Sequence, residues 1–173
     1  MIIKSKSYKS TKAFETVTAY VLREIEHEKS FVLTRFIKGN NKSVEYIKNQ
    51  LAANESYRLH KRKNSVKLYM DILSFHKDDA HKLGNDKLKK IARKYISLRA
   101  NCAIALATVH RDKSHVHLHI LLSGVEYRTG NSIRVTRDEF KKVKQEIEAY
   151  QAKEYPELFK SAINHDKSLK KKS

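Results

Sequence analysis

Four histidines crowd into ten residues, in the run His110-Arg-Asp-Lys-Ser-His115-Val-His117-Leu-His119-Ile. In extended backbone the side chains alternate, so His115, His117 and His119 project from one face and Val116, Leu118 and Ile120 from the other. His110 closes the preceding apolar run, and a hairpin through the polar residues between them would return it beside His117. Imidazoles from two neighbouring strands can surround one cation on three sides and leave the other positions open, which is what a catalytic metal needs. Asp112 is close enough in sequence to accept a hydrogen bond from one of the rings and so orient it. A single histidine is most often a half-buried strand residue. Four titratable rings in one place are costly without a ligand, so the cluster predicts a metal or phosphate site.

The chain also carries nine tyrosines, whose places on the predicted helices differ. On a helix turning about 100° per residue, Phe14, Val17, Val21 and Ile25 fall within roughly one third of the circumference. Tyr20 lies to one side of that stripe, beside Ala13, so its phenol would emerge at the edge of the core. That position suits a nucleophile and an ordinary boundary tyrosine equally well. Tyr150 begins Tyr-Gln-Ala-Lys but flanks the stripe of Phe140, Val143 and Ile147, which favours packing. Tyr46 with Gln50, and Tyr8, are further candidates.

The elements that must position these groups follow from periodicity. Residues Ile2 to Lys6 read as a first strand. Thr11 is a candidate N-cap for a helix through Glu26. Ser30 to Lys38 is strand-like, and Ser43 can cap a short helix carrying Val44, Ile47 and Leu51. Val66 to Phe75 alternates as a strand, with Val66, Leu68, Met70 and Ile72 on one face. Asn85 or Asp86 opens a helix with the stripe Leu88, Ile91, Ala92, Tyr95 and Leu98. Ala103 to Val109 and Val116 to Ser123 are strands on either side of the polar turn, and Tyr127 to Asn131 is a second turn before a short strand near Ile133 to Val135. Thr136 and Glu139 form a capping box for a last helix. Strands and helices interleave without regular βα spacing, which predicts an α+β fold with an antiparallel sheet.

The chain has 173 residues, with 37 Lys and Arg against 19 Asp and Glu, a formal charge of +18. The length suits one domain, and 40% hydrophobic residues exclude compositional disorder. No apolar run approaches the roughly 18 residues of a membrane span, and the first residues lack the apolar stretch of a signal peptide. A cytoplasmic protein with a polyanionic partner is expected. The single cysteine, Cys102, lies in an apolar segment and is expected to be a buried thiol.

The run HRDKSHVHLHILLSG resembles motif III of the conjugative relaxases, the mobilization nucleases of the HUH endonuclease superfamily, with its pattern H-x-D-x-x-H-x-H-x-H. LYMDILSFHKDD is similar to their motif II, a strand ending in Ser-Phe at Ser74-Phe75, and FETVTAYVLRE to motif I, a helix carrying the nucleophilic tyrosine at Tyr20. Order and spacing agree over about residues 1 to 160. The resemblance implies a five-stranded antiparallel sheet flanked by helices and a site-specific nick in single-stranded origin-of-transfer DNA. It implies a divalent metal, Mn²⁺ or Mg²⁺ with Zn²⁺ as a third candidate, held by His110, His117 and His119. His115 stands outside that triad, as an orienting residue or alternative ligand. Asp112 joins Tyr20 as a catalytic residue, and Ser74 would touch DNA near the scissile phosphate. Accessory mobilization proteins and a coupling protein are the further partners implied.

Arg58, Arg62, Lys63, Arg128 and Arg134 are candidates for the DNA backbone, and Tyr57 or Tyr127 could stack on a base. For any single basic residue a solvated surface position is the commoner role. Residues 1–165 read as the relaxase domain and 166–173 as a basic tail, the possible start of a longer C-terminal region. Three rivals remain on sequence grounds. A replication initiator or transposase of the same superfamily would use a different tyrosine. A histidine-triad nucleotide hydrolase fits His115 to Leu121, but the approach to the triad differs and +18 is excessive for a small nucleotide. A non-catalytic nucleic-acid-binding module would need none of the histidines.

Overall fold

Alternating apolar side chains make two-faced strands. Among the residues that the computed structural model describes (1–25, 30–111 and 115–163), five of them form one antiparallel sheet. These are β1 (Ile2–Tyr8), β2 (Val32–Arg35), β3 (Leu68–Ser74), β4 (Ala103–His110) and β5 (His117–Glu126), in the order β1-β3-β5-β4-β2. Four α-helices accompany them: α1 (Ala13–Leu22), α2 (Val44–Ser56), α3 (Asn85–Ala100) and α4 (Arg137–Glu154). The fold is α+β, as the interleaving predicts.

Both faces of the sheet are covered, which is why the central strands read as nearly continuous apolar runs. On one face Leu68, Met70, Ile104, Leu106 and Leu121 pack against Phe14, Val17 and Val21 of α1 and Ile47 and Leu51 of α2. On the other, Ala105, Ala107, Leu118, Ile120 and Leu122 meet Leu88, Ile91, Ala92 and Tyr95 of α3 and Val143 and Ile147 of α4. The second face also holds Asp71, which accepts hydrogen bonds from Tyr95 Oη at 2.8 Å and Arg99 Nε at 3.1 Å. Burial pushes that carboxyl above the ordinary carboxylate range, against the pull of Arg99.

Register decides what shares the first face. His110 pairs with His117, and Thr108 with His119, across β4 and β5. Ser74 pairs with His117, and Ile72 with His119, across β3 and β5. Residues directly opposite project to the same side, so the histidines gather at one end of the α1/α2 face.

Several local expectations need correction. Helix α1 starts at Ala13 behind Lys12, without a side-chain cap, because Ser10 Oγ accepts from the Lys12 amide and Thr11 lies in a turn. It ends at Leu22 rather than Glu26, which lies outside the described residues. The reason is visible: the Val21 carbonyl, the helical partner of the Ile25 amide, is taken by β4, and Ile25 N–H turns to Leu22 O at 3.1 Å. The expected strand at Ile133 to Val135 reduces to a bridge between Val125 and Ser132, since the capping box at Thr136 turns the chain into α4 first. Cys102 is exposed, in the turn between α3 and β4. Ser43 does cap α2, accepting from the Tyr46 amide at 3.3 Å, which is worth about 1 kcal/mol.

Candidate active site

The last turn of a helix leaves carbonyls without intrahelical partners. Helix α1 directs one of these, Val21 O, at β4, where it accepts from Thr108 Oγ1 at 2.8 Å and lies 3.0 Å from His110 Nε2. A carbonyl only accepts, so Nε2 of His110 carries the proton, and in the neutral ring Nδ1 presents a lone pair. That Nδ1 is buried with no hydrogen-bond partner among the described residues. Glu24 Oε1 stands 3.9 Å from it, while Glu24 Oε2 accepts from the Arg111 amide at 3.2 Å.

Clamping α1 to β4 brings Tyr20 over the histidines. Its ring centroid is 5.7 Å from that of His110 and 5.3 Å from that of His119, and the latter contact is edge-on. The residue is 38% exposed, so part of the side chain stays open to solvent while part lies against imidazole. Arg23 covers the ring at 4.6 Å and also pairs with Glu24. A phosphate approaching the phenol would meet this guanidinium.

His110 and His119 are fully buried and nearly so, with ring centroids 4.0 Å apart. His117 is half-buried. Its Nδ1 shares a 2.9 Å hydrogen bond with Ser74 Oγ, and its ring is 6.4 Å from that of His119. As the side chains stand, no three His, Cys, Asp or Glu among the described residues are gathered tightly enough to hold an ion. The residue types nonetheless suit a divalent metal. His110 offers an unprotonated buried nitrogen with its other nitrogen fixed to a carbonyl, the usual state of a ligating histidine. His119 lies against it, and His117 follows on the same face of the sheet. His115 is exposed, just before β5, with its ring 5.9 Å from His117 and further from the pair. Asp112 lies outside the described residues.

Over residues 20–155 the sequence matches the family model for relaxases, described as MobA/VirD2-like, nuclease domain. The chain belongs to this relaxase family. It is therefore a DNA relaxase, an enzyme of the nicking class. A search of curated protein sequences finds no match. Among solved structures, the fold is similar to the Mn-bound MobM relaxase domain in complex with a 22-nucleotide origin DNA of plasmid pMV158, with 19% identity, TM-score 0.63, and 88% and 86% of the two chains covered. It is also similar to a structure described as the molecular basis of vancomycin resistance transfer in Staphylococcus aureus, with 16% identity, TM-score 0.59, and 88% and 90% covered. A third, MobM bound to a 26-nucleotide pMV158 origin DNA, has 16% identity and TM-score 0.60, with 99% and 94% covered. At these identities the likeness establishes the fold. No helix of the relaxase, among the described residues, is long and apolar enough to cross a membrane.

The basic residues of the relaxase divide. Arg58 is only 4% exposed, and its guanidinium binds Glu55 at 2.5 and 2.9 Å, Ser132 Oγ at 2.9 Å and Val66 O at 2.6 Å. It braces the end of α2 against the 132–134 segment, with four of its five N–H donors engaged inside the protein. The charge pattern alone could not separate it from its neighbours. Arg62, Lys63, Arg128 and Arg134 are exposed. Arg62 and Arg134 line a cleft of about 510 Å³ with His60 and Tyr69, at the end of the sheet away from the histidines. Ser74 touches His117 directly, so any contact it makes with DNA would be shared with that bond.

Of the rival tyrosines, Tyr150 packs on α4 against Tyr155, with ring centroids 6.2 Å apart, on the face opposite the histidines. No sequence motif marks Thr108 or Glu24. Their signals are positional, Thr108 two residues before His110 on a strand and Glu24 one helical turn after Tyr20.

Proposed function

We propose that this relaxase nicks single-stranded DNA at a transfer origin, site- and strand-specifically, with Tyr20 as nucleophile, to mobilize a plasmid or other mobile element. The contact of the Tyr20 ring with those of His110 and His119 carries the reading, because a nucleophile must sit beside the groups that neutralise the phosphoryl charge. The phenolic oxygen attacks the scissile phosphorus, the bond to the 3′ oxygen breaks, and the 3′ side leaves as a hydroxyl while the phenol gives up its proton. The 5′-phosphotyrosyl link keeps the ester for later rejoining.

His110, His117 and His119 would hold a divalent metal, Mn²⁺ by analogy with the Mn-bound MobM structure, whose chemistry is Lewis-acid stabilisation of the phosphoryl oxygens. Val21 O and Thr108 hold the tyrosine helix against this site, and Ser74 orients His117. Arg23 meets the incoming phosphate, and Asp112 is assigned to orienting one imidazole. Arg62, Lys63, Arg128 and Arg134 follow the backbone. Origin DNA, accessory mobilization proteins and a coupling protein are the partners, and the cytoplasm is the setting. The position of Tyr150 behind the sheet weighs against a replication-initiator mechanism.

The direct test is incubation with single-stranded origin DNA of the protein's own element and Mn²⁺, followed by denaturing electrophoresis. A covalent adduct dependent on metal is expected. Binding without any cleavage would overturn the reading in favour of a binding module.

A further inference from the structure

At the end of the sheet away from the histidines, the rings of Phe36 and Tyr127 stack at 4.8 Å with their planes 6° apart. A guanidinium stands close to each ring, Arg35 at 5.1 Å from Phe36 and Arg128 at 5.0 Å from Tyr127. The four side chains make one aromatic and cationic stack-and-rim cluster. Both Phe36 and Arg128 hold it with a positive φ, 58° and 65°, which is unusual for residues other than glycine. The surroundings maintain that backbone. Gln50 bonds both the amide and the carbonyl of Lys38, at 2.8 and 3.2 Å, and Asn54 Oδ1 accepts from the Arg128 amide at 3.0 Å.

Beside these side chains lies a cleft of about 160 Å³ whose lining includes Tyr57, Tyr127, Arg128, Lys38 and Ile104. Tyr57 is 54% exposed. It is placed there by Gly130, whose φ is +78° and where a Cβ would stand 1.9 Å from the Tyr57 carbonyl oxygen. Only glycine lets the 127–131 turn dock so closely. A void of about 150 Å³ admits a benzene ring, so this cleft is of the size for one planar ring system.

We infer that this cleft is a stacking subsite for one unpaired base of the bound DNA strand, held by Tyr57, Tyr127 and Arg128 with its flanking phosphate on Lys38. Aromatic and guanidinium planes are the surfaces on which extruded bases stack, and the neighbouring cations suit a phosphodiester rather than an apolar peptide. From His119 to Glu126 is seven residues of β5, about 24 Å, so the subsite grips the strand well away from the nick. The inference rests on the relaxase reading of the histidine site and extends it to where the strand is held.

The test is fluorescence anisotropy with an oligothymidylate of about 20 nucleotides and with an abasic strand of the same length, which keeps the phosphates and lacks every base. The parent protein should bind the thymidylate more tightly. Tyr57→Leu and Tyr127→Leu should each lower thymidylate affinity roughly 5- to 150-fold and leave abasic affinity within about twofold. Tyr57 is more than half exposed, so its variant carries the test even if Tyr127→Leu fails to fold. An undiminished preference for thymidylate in Tyr57→Leu would overturn the subsite alone. Failure of the parent to bind either strand would overturn both the subsite and the relaxase reading.

Discussion

The carbonyl oxygen of Val21 lies 3.0 Å from Nε2 of His110, and it belongs to the residue that follows Tyr20. One contact thus ends helix α1, sets the tautomer of a histidine and fixes the tyrosine beside it. Thr108 shares the same oxygen at 2.8 Å.

Thr108→Val keeps the shape of the side chain and removes that donor. A loss of about 1 kcal/mol in stability is expected from one buried hydrogen bond. Because the same bond positions Tyr20, cleavage under saturating DNA should fall roughly 10- to 100-fold with little change in DNA affinity. Thr108→Ser should restore most of the rate. Equal effects on rate and affinity would assign Thr108 to stability only.

Metal affinity should track the histidines and their carboxylate neighbour. Calorimetry with Mn²⁺ should give clear binding to the parent, much weaker binding to His110→Ala, His117→Ala or His119→Ala, and a milder loss for His115→Ala. Glu24→Gln should weaken binding, since its carboxylate lies 3.9 Å from the His110 nitrogen assigned to the metal and adds negative charge beside it. Unchanged affinity in His117→Ala would remove that ring from the ligand set and leave its bond to Ser74 as its role.

An antiparallel sheet with flanking helices is legible in strand alternation and helical stripes, but the strand order is not, since no local pattern says which strands pair. The histidine site was legible for the same reason, since parity on β4 and β5 fixes its face. What sequence could not carry was long-range capture of backbone. Nothing local marks Val21 O as the acceptor for β4, so the apolar stripe alone carries α1 on to Glu26. Residue types around Arg58 and Cys102 do not reveal their exposure, which depends on Glu55 and on a turn between α3 and β4.

Acid should loosen the C-terminal segment first. Asp79 is fully buried, and although burial pushes its carboxyl up, the Ser161 hydroxyl at 2.8 Å, the Ser161 amide at 2.7 Å and Lys82 at 3.2 Å hold it below the ordinary range. A carboxyl lowered by folding stabilises above its unfolded value, about 3.9, and that contribution is lost as pH falls through the lowered value. Thermal melts of the parent should therefore lose stability below about pH 4 more steeply than those of Asp79→Asn. Parallel pH curves would exclude Asp79 as the source.

Salt should weaken DNA binding strongly. Four or more phosphate contacts from Arg62, Lys63, Arg128 and Arg134 predict a slope of log affinity against log salt of about −3 or steeper. Arg62→Ala should make that slope shallower, whereas Arg58→Ala should lower stability instead, having removed one of two cations that Glu55 binds. A nearly flat salt dependence would contradict a backbone-tracking surface.

The adduct itself gives the most direct measurement. Parent protein is allowed to react with its origin strand and Mn²⁺, digested, and the nucleotide-bearing peptide is sequenced by mass spectrometry, alongside Tyr20→Phe and Tyr150→Phe. Removing one phenolic oxygen leaves either ring in place, so packing is preserved. The nucleotide should sit on the peptide containing FETVTAYVLR. Tyr20→Phe should bind DNA and form no adduct, and Tyr150→Phe should react like the parent. An adduct kept in Tyr20→Phe and lost in Tyr150→Phe would contradict the assignment of Tyr20 and move the nucleophile to the far side of the sheet.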